Sequence, residues 1–585
     1  MALERTDKKD LYLTSMKLFN KLFSVLLKPQ FLFYYFLVAM IVPNLALCIT
    51  EKMSVWACLS NLILPTAVYA YLFTFRRKPG LAIWVLFPFV FLAAFQLVLL
   101  YLFGNSIISV DMFLNLVTTN ANEAMELLDN LVPAVAGVFI LYLPALFLGG
   151  LAIRHHGKLS EIFQQKVRKI SVIGMVVGIA WIGLTYAVDR YYDVRSHLFP
   201  VNVCYNAYLA VERTILTSNY PETSKDFSYQ AESEHPKDQR EIYLFVIGET
   251  GRAHSWGLYG YERNTTPLLQ QQTGLIAFPD VLTQSNTTHK SVPMLMSLAN
   301  AEDYNQVYRT KGMITAFKDA GFYTAYLSNQ DYNHSFIDIF GEEADKFFFL
   351  KYSDLSAEEK KDTKLAEMVS ELINEGHQKL FIVLHTYGSH FNYYERYPQS
   401  RAEFKPDYIT NVTPTNRHIL INAYDNTILQ TDLFLNGLIE TLKKEDVNAA
   451  MLYTSDHGED IYDDKRELFL HASPIPSYYQ LHVPFVVWTS DAYQQSYPEI
   501  LENLKANQYK AVASNASVIH TLFQLGGIKT PYRNDSLSVG SGCFTEKTRY
   551  FLNDHNFPVP FNRVGLDKED FEQFKLHNIK ETYKK

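Results

Sequence analysis

Long uncharged runs fill the first third of the chain, and short alternating runs fill the rest. Five stretches lack Asp, Glu, Lys and Arg altogether: Pro29 to Thr50, Ser54 to Phe75, Leu81 to Val110, Leu131 to Ile153, and Ile170 to Val188. A helix needs about 20 apolar residues to cross the ~30 Å hydrocarbon core of a bilayer. The pattern therefore predicts five membrane spans in an N-terminal domain of residues 1–190. Basic residues gather before the first span (Lys17, Lys21 and Lys28 among them), between the second and third (Arg76, Arg77, Lys78), and between the fourth and fifth (Arg154, Lys158, Lys166, Arg168, Lys169). These segments, and the N-terminus, are expected on the cytoplasmic side. An odd number of spans then exports everything beyond Val188. Span one has no small-x-small site after it and is not read as a cleaved signal.

Residues 191–240 read as a juxtamembrane segment. "DRYYDVRSHLFPVNVCYNAYLAVERTIL" mixes apolar and charged positions as a helix on a membrane surface does, and the polar "TSNYPETSKDFSYQAESEHPKDQRE" reads as a linker. From Ile242 the pattern changes. "IYLFVIGET", "YTAYLSN", "KLFIVLHTYG", "AAMLYTSDHGE" and "VPFVVWTS" have the length and composition of buried strands, and "ITAFKDAG", "TKLAEMVSELINEG" and "NTILQTDLFLNGLIETLKK" have helical spacing. Strands alternating with helices predict a mostly parallel sheet covered on both faces, with residues 241–585 as the exported α/β domain. In such sheets functional groups collect beyond the carboxyl ends of the strands.

At 585 residues the chain holds at least two domains. The net charge of −8, with no long basic stripe in the exported part, argues against a nucleic-acid binder. Four cysteines are too few for a disulfide framework. Cys48 with Cys58 and Cys204 with Cys543 are the candidate pairs, and buried free thiols are the simpler expectation.

Three strand-like runs end in metal-ligand types: Glu249 after the first, His385 and His390 after the third, Asp456 and His457 after the fourth. Each has a bland reading, as a helix cap, a core histidine or a solvated turn. Their convergence on one sheet edge favours a divalent-cation site. Mixed oxygen and imidazole donors suit zinc and also suit manganese. A cation there gives meaning to "NTTHKSVP" (Asn286 to Pro293), because a threonine hydroxyl is a poor nucleophile until something withdraws its proton. The residues alone leave Thr287 and Thr288 open.

The segments "FVIGETGRAHSWGLYGYERNTTPLL", "NTTHKSVPMLMS", "LHTYGSHFNYYERYP", "AYDNTILQTDLFL", "YTSDHGED" and "LHASPIPSYYQLHVPFVVWTS" occur in an order and spacing that resembles the membrane phosphoethanolamine transferases, the lipid A modifying and mobile colistin-resistance enzymes. The resemblance covers essentially the whole chain. It implies a five-helix transmembrane domain followed by an α/β domain of alkaline-phosphatase and sulfatase type, in a bacterial inner membrane with the catalytic part periplasmic. It implies Thr288 as nucleophile, Glu249, Thr288, Asp456 and His457 as ligands of one or two zinc ions, and His385, His390 and His471 as groups for a second metal or the transferred phosphate. His390 or His471 would supply the acid that protonates the leaving group.

Asn115, Thr119 and Glu123 recur every four residues, which alone suggests a polar helix face. The resemblance makes them the site for the ethanolamine end of the donor. It also implies phosphatidylethanolamine as donor and lipid A or another envelope glycan as acceptor; separately, a monomer is expected. Gln284 and Met294 stand where the family has a disulfide around the nucleophile turn, so packing is expected to hold that turn. Asn333 and His334 stand where the family often has a lysine. Phosphoglycerol transfer is the nearest rival, and a non-enzymatic envelope scaffold the most distant. Leu295 stands where the sulfatase signature needs an arginine.

Overall fold

The computed structural model describes residues 24–51, 53–103, 107–118, 121–190, 192–356, 359–409, 411–473 and 475–580. The chain divides into two compact units, Met1–Val211 and Glu212–Lys585.

In the first unit the apolar runs become helices. Among the described residues, four are long and apolar enough to cross a membrane: Pro29–Thr50, Val55–Leu72, Ala134–Arg154 within the longer Ala121–Arg154, and Glu161–Val188. The third expected span is a pair, Pro79–Val85 and Phe87–Phe103, bent by 67° at Leu86; counted as one span it brings the total to five. Lipid offers apolar side chains no reason to segregate, so polar bonds and close packing hold such helices together. Asn44 Nδ2 donates to Asn61 Oδ1 across the first two at 3.0 Å. The hydroxyls of Ser60 and Thr185 meet at 2.9 Å between the second and the last. Large apolar side chains such as Phe147, Val176 and Ile179 face outward, which suits a lipid surround.

The second unit is built on a seven-stranded sheet: β1 (Glu241–Gly248), β2 (Leu275–Ala277), β3 (Tyr323–Ser328), β4 (Lys346–Phe349), β5 (Lys379–His385), β6 (Asn448–Ser455) and β7 (Phe485–Thr489). Their order is β2-β7-β6-β1-β5-β3-β4. The run from β6 to β4 is parallel, while β7 is antiparallel to both its neighbours. All five expected strands form; the edge strands β2 and β4 are additions. Along β1, Tyr243, Phe245 and Ile247 enter one apolar cluster while Ile242, Leu244 and Val246 enter the other. Burying each such side chain is worth roughly 1.5–3 kcal/mol, which is why the central strands read as uninterrupted apolar runs. Asp362–Asn374 and Arg417–Lys443 cover one face; Thr288–Met296 and Ser514–Leu525 cover the other.

Two expectations are corrected. The polar stretch read as a linker is packed onto the sheet domain: Tyr229 is fully buried, and Glu232–Ser233 pairs with Ile528–Lys529. Its aromatic residues, thinly spread among polar ones, anchor it. All four cysteines are free thiols, but Cys204 and Cys543 are exposed, not buried.

Candidate metal centre

The site grows out of the register of three neighbouring parallel strands. Ile247 of β1 lies opposite His385 of β5, and Gly248 lies opposite Ser455 of β6. The next residues, Glu249 on one strand and Asp456–His457 on the other, therefore emerge side by side at the carboxyl edge. The turn after β6 needs Gly458, where a Cβ would come within 2.0 Å of the Tyr479 carbonyl oxygen.

The nucleophile candidate arrives from a different segment. Thr288 opens the helix Thr288–Met296, with Thr287 as the residue before it. A helix start carries partial positive charge and free N–H groups, so it favours negative charge nearby. Thr288 Oγ1 donates to Glu249 Oε1 at 3.1 Å and lies 3.1 Å from His457 Nε2. The His457 Nδ1 bonds the Gly458 carbonyl at 2.9 Å. That bond places the proton on Nδ1 and turns the Nε2 lone pair toward Thr288. His457 Nε2 is also 3.3 Å from Asp456 Oδ2 and 3.7 Å from Glu249 Oε1.

Buried hydrogen bonds, besides packing, pin the nucleophile turn. The Asn515 side chain accepts from Gln284 N at 2.6 Å and donates to Ser291 Oγ at 2.8 Å. Thr283 and Ser291 hydroxyls both donate to the Asp456 carbonyl, at 2.7 and 2.6 Å. Met294 is fully buried.

Among the described residues, Glu249, Asp456 and His457 bring ligand atoms within 4.8 Å of one another, all three residues buried. The group fits a cation. Asp456 Oδ2 is buried with no hydrogen-bond partner, and such an oxygen is costly unless something compensates it. Burial, and then the charge of Asp456, raises Glu249 well above the usual carboxylate range. Burial raises Asp456 to about 6. Burial, followed by neighbouring His471, lowers His457 well below the ordinary histidine value. Two carboxylates and a neutral imidazole are the donor set of a zinc site.

The other predicted histidines divide. The His471 ring lies 4.3 Å from that of His457, and His390 lies 6.0 Å from His471, so both border the centre. His390 Nδ1 bonds the Phe391 carbonyl at 2.6 Å, leaving Nε2 as its acceptor; burial and then Arg396 lower it to about 3. His385 is fully buried, faces the Tyr326 hydroxyl at 3.2 Å through Nδ1, and reaches Glu249 Oε2 at 4.0 Å. Asn333 and His334 donate their backbone N–H groups to Asp338 at 2.7 and 2.6 Å, which fixes the start of the helix Phe336–Gly341. Asn115 falls in the helix Val110–Thr118 and Glu123 in Ala121–Arg154, but their side chains, and all of Thr119, lie outside the described residues.

Sequence reasoning missed two groups. Glu459, fully buried, faces His471 Nδ1 at 3.1 Å and accepts from the Tyr393 hydroxyl at 2.7 Å. Its position two residues after His457 in "SDHGED" was the available signal. Gln330 Nε2 donates to Glu249 Oε2 at 3.3 Å from the loop after β3, and nothing in its sequence context marks it.

Residues 241–528 match the Sulfatase family. The Kdo(2)-lipid A phosphoethanolamine 7''-transferase of Escherichia coli (strain K12) is 32% identical over 292 residues, 47% of this chain and 48% of that protein. The chain spans about half the length of the curated relatives it matches. Among solved structures, the integral membrane lipooligosaccharide phosphoethanolamine transferase A (EptA) from Neisseria meningitidis aligns with TM-score 0.70 and 22% identity over 88% of this chain and 96% of that one. The C-terminal periplasmic domain of EptC from Escherichia coli, in complex with Zn, aligns with TM-score 0.53 and 24% identity over 57% of this chain and 96% of that one. Both support the fold. Residues 241–528 are thus similar to the Sulfatase family, and the relatives this part of the chain resembles are phosphoethanolamine transferases.

Proposed function

We propose that this chain transfers phosphoethanolamine from phosphatidylethanolamine to a phosphate of lipid A, at the periplasmic face of a bacterial inner membrane. The observation that carries the reading is Thr288 Oγ1 held 3.1 Å from both Glu249 Oε1 and His457 Nε2 at a helix start. Glu249, Thr288, Asp456 and His457 would hold zinc, the ion in the similar EptC domain. Zinc bound there would favour the ionised Thr288 hydroxyl and offset charge on the phosphoryl oxygens.

In the first step Thr288 Oγ attacks the phosphorus of the donor. A threonine O–P bond forms, the P–O bond to diacylglycerol breaks, and the leaving oxygen takes a proton. His471 suits that proton transfer, because the buried Glu459 carboxylate stands beside its ring. In the second step an oxygen of the acceptor attacks the same phosphorus and the Thr288 O–P bond breaks, returning the hydroxyl. His390 presents an Nε2 lone pair that can take the incoming proton. Asn115, Thr119 and Glu123 remain the proposed site for the ethanolammonium group.

The test is mass spectrometry of lipid A from cells with and without the protein, beside Thr288→Ala. A phosphoethanolamine mass gain that requires Thr288 is the expected result. The same gain with Thr288→Ala overturns the nucleophile. A gain on core sugars in place of lipid A overturns the acceptor and keeps the transfer.

A further inference from the structure

Beyond the ligand cluster, two cations meet on one tyrosine. Lys351 Nζ lies 3.6 Å from the Tyr387 ring centroid, and Arg396 Cζ lies 4.0 Å from it. The Tyr387 ring stacks on His390 at 5.3 Å with 12° between the planes. Three separate segments converge here: Lys351 follows β4, Tyr387 follows β5, and Arg396 follows the turn Tyr393–Glu395.

Each partner is held in place. Tyr387 N donates to Asp362 Oδ1 at 2.9 Å. Arg396 donates to the carbonyls of His390 and Phe391 at 2.8 and 3.1 Å. Lys351 Nζ bonds Asp331 Oδ2 at 2.6 Å, which uses one of the three donors of an ammonium group. A cation over an aromatic ring is held more weakly than one in a charge-assisted bond to a phosphate. Lys351 retains a fifth of its side-chain exposure, so a ligand can reach it.

The pair borders the candidate centre through Tyr387 and His390. Ring contacts connect it to the centre: His457 lies within 3.1 Å of the Thr288 hydroxyl, His471 beside His457, His390 beside His471, and Tyr387 beside His390. Attacking and leaving oxygens in phosphoryl transfer lie on opposite sides of the phosphorus. The side away from Thr288 is occupied first by the diacylglycerol oxygen, which carries no anion of its own. It is occupied next by the acceptor. An acceptor that is itself a phosphate must bring a second negative charge against the transferred group, and cations on that side offset the repulsion.

We propose that Lys351 and Arg396, seated on Tyr387, form the subsite that selects a phosphate monoester as acceptor. This rests on the transferase reading above. In the step it serves, an acceptor phosphate oxygen bonds to the phosphorus of the threonine-linked phosphoethanolamine, giving a P–O–P linkage, and the Thr288 Oγ–P bond breaks with Thr288 taking a proton.

The experiment separates the two half-steps. Wild type, Lys351→Gln, Arg396→Gln and Lys351→Arg, each as full-length zinc-loaded protein in detergent, are incubated with phosphatidylethanolamine, and the adduct on Thr288 is quantified by mass spectrometry. The loaded protein is then offered lipid A or the same lipid A after phosphatase treatment. The preference for the phosphorylated acceptor falls about tenfold or more in the two Gln variants, and Lys351→Arg restores most of it. A wild-type preference in both Gln variants overturns the subsite. A loss confined to adduct formation also overturns it, and assigns the cations to the donor's phosphate. Absence of any adduct in the wild type overturns the transferase reading and the subsite with it.

Discussion

His471 Nδ1 lies 3.1 Å from Glu459 Oε1, and the Tyr393 hydroxyl donates to the other oxygen of the same carboxylate at 2.7 Å. The pairing fixes which nitrogen of His471 faces the centre. Glu459→Gln removes the negative charge but keeps the shape. It is expected to lower kcat about 10–100-fold with zinc content unchanged, as read by metal analysis beside steady-state kinetics. Loss of zinc together with activity would mean that Glu459 supports the metal and not His471.

Thr288→Ser keeps a hydroxyl at the helix start and is expected to retain measurable transfer, while Thr288→Ala forms no adduct. Circular dichroism and thermal unfolding check that both variants are folded.

Zinc affinity depends on pH with a definite sign. Glu249 and Asp456 have raised proton affinity without a cation, Asp456 to about 6, and both must be ionised to bind zinc. Protons therefore compete. Affinity measured against a chelator is expected to fall steadily as pH drops below about 6, and calorimetry in buffers of different ionisation enthalpy should detect protons released on binding. A flat profile between pH 5 and 7 would contradict the ligand set.

Asp460 tests burial away from the metal ligands. It accepts from Ser477 and Gln480 at 2.6 and 2.5 Å in a fully enclosed position, and burial raises it to about 7. Its folded value exceeds the ordinary value of ~3.9, so the folded state binds the proton more tightly. The stability this confers is present below pH ~4 and is lost as pH rises toward 7. Asp460→Asn cannot ionise, and is expected to gain on the wild type across that window, in unfolding midpoints measured at several pH values.

Gly458→Ala should destabilise the sheet domain by roughly 1–3 kcal/mol, because the new Cβ meets the Tyr479 carbonyl at 2.0 Å. Asp456 and His457 shift with that turn, so zinc retention should fall along with the melting temperature.

Much of this molecule is local and therefore readable in the chain. Uncharged runs of membrane length, apolar strands buried on both faces, and ligand residues placed just past those strands all state their roles within about twenty residues. Glu249, Asp456 and His457 were legible because strand ends are where such sheets put their chemistry. What local pattern could not convey is who meets whom across the fold. The kink at Leu86 lies inside one apolar run that reads as a single span. The supposed linker is polar on average, yet a few aromatic residues such as Tyr229 suffice to bury it. Glu459 looked like any acidic residue until its partner His471 arrived from twelve positions away. Lys351 and Arg396 look like ordinary surface cations in the sequence, separated by forty-five positions, and only the register of β4, β3 and β5 brings them to one ring. The physical reason is common to all of these. Hydrophobic periodicity is set by each element's own exposure to solvent or lipid, whereas charge pairing and orientation depend on groups that share no sequence neighbourhood.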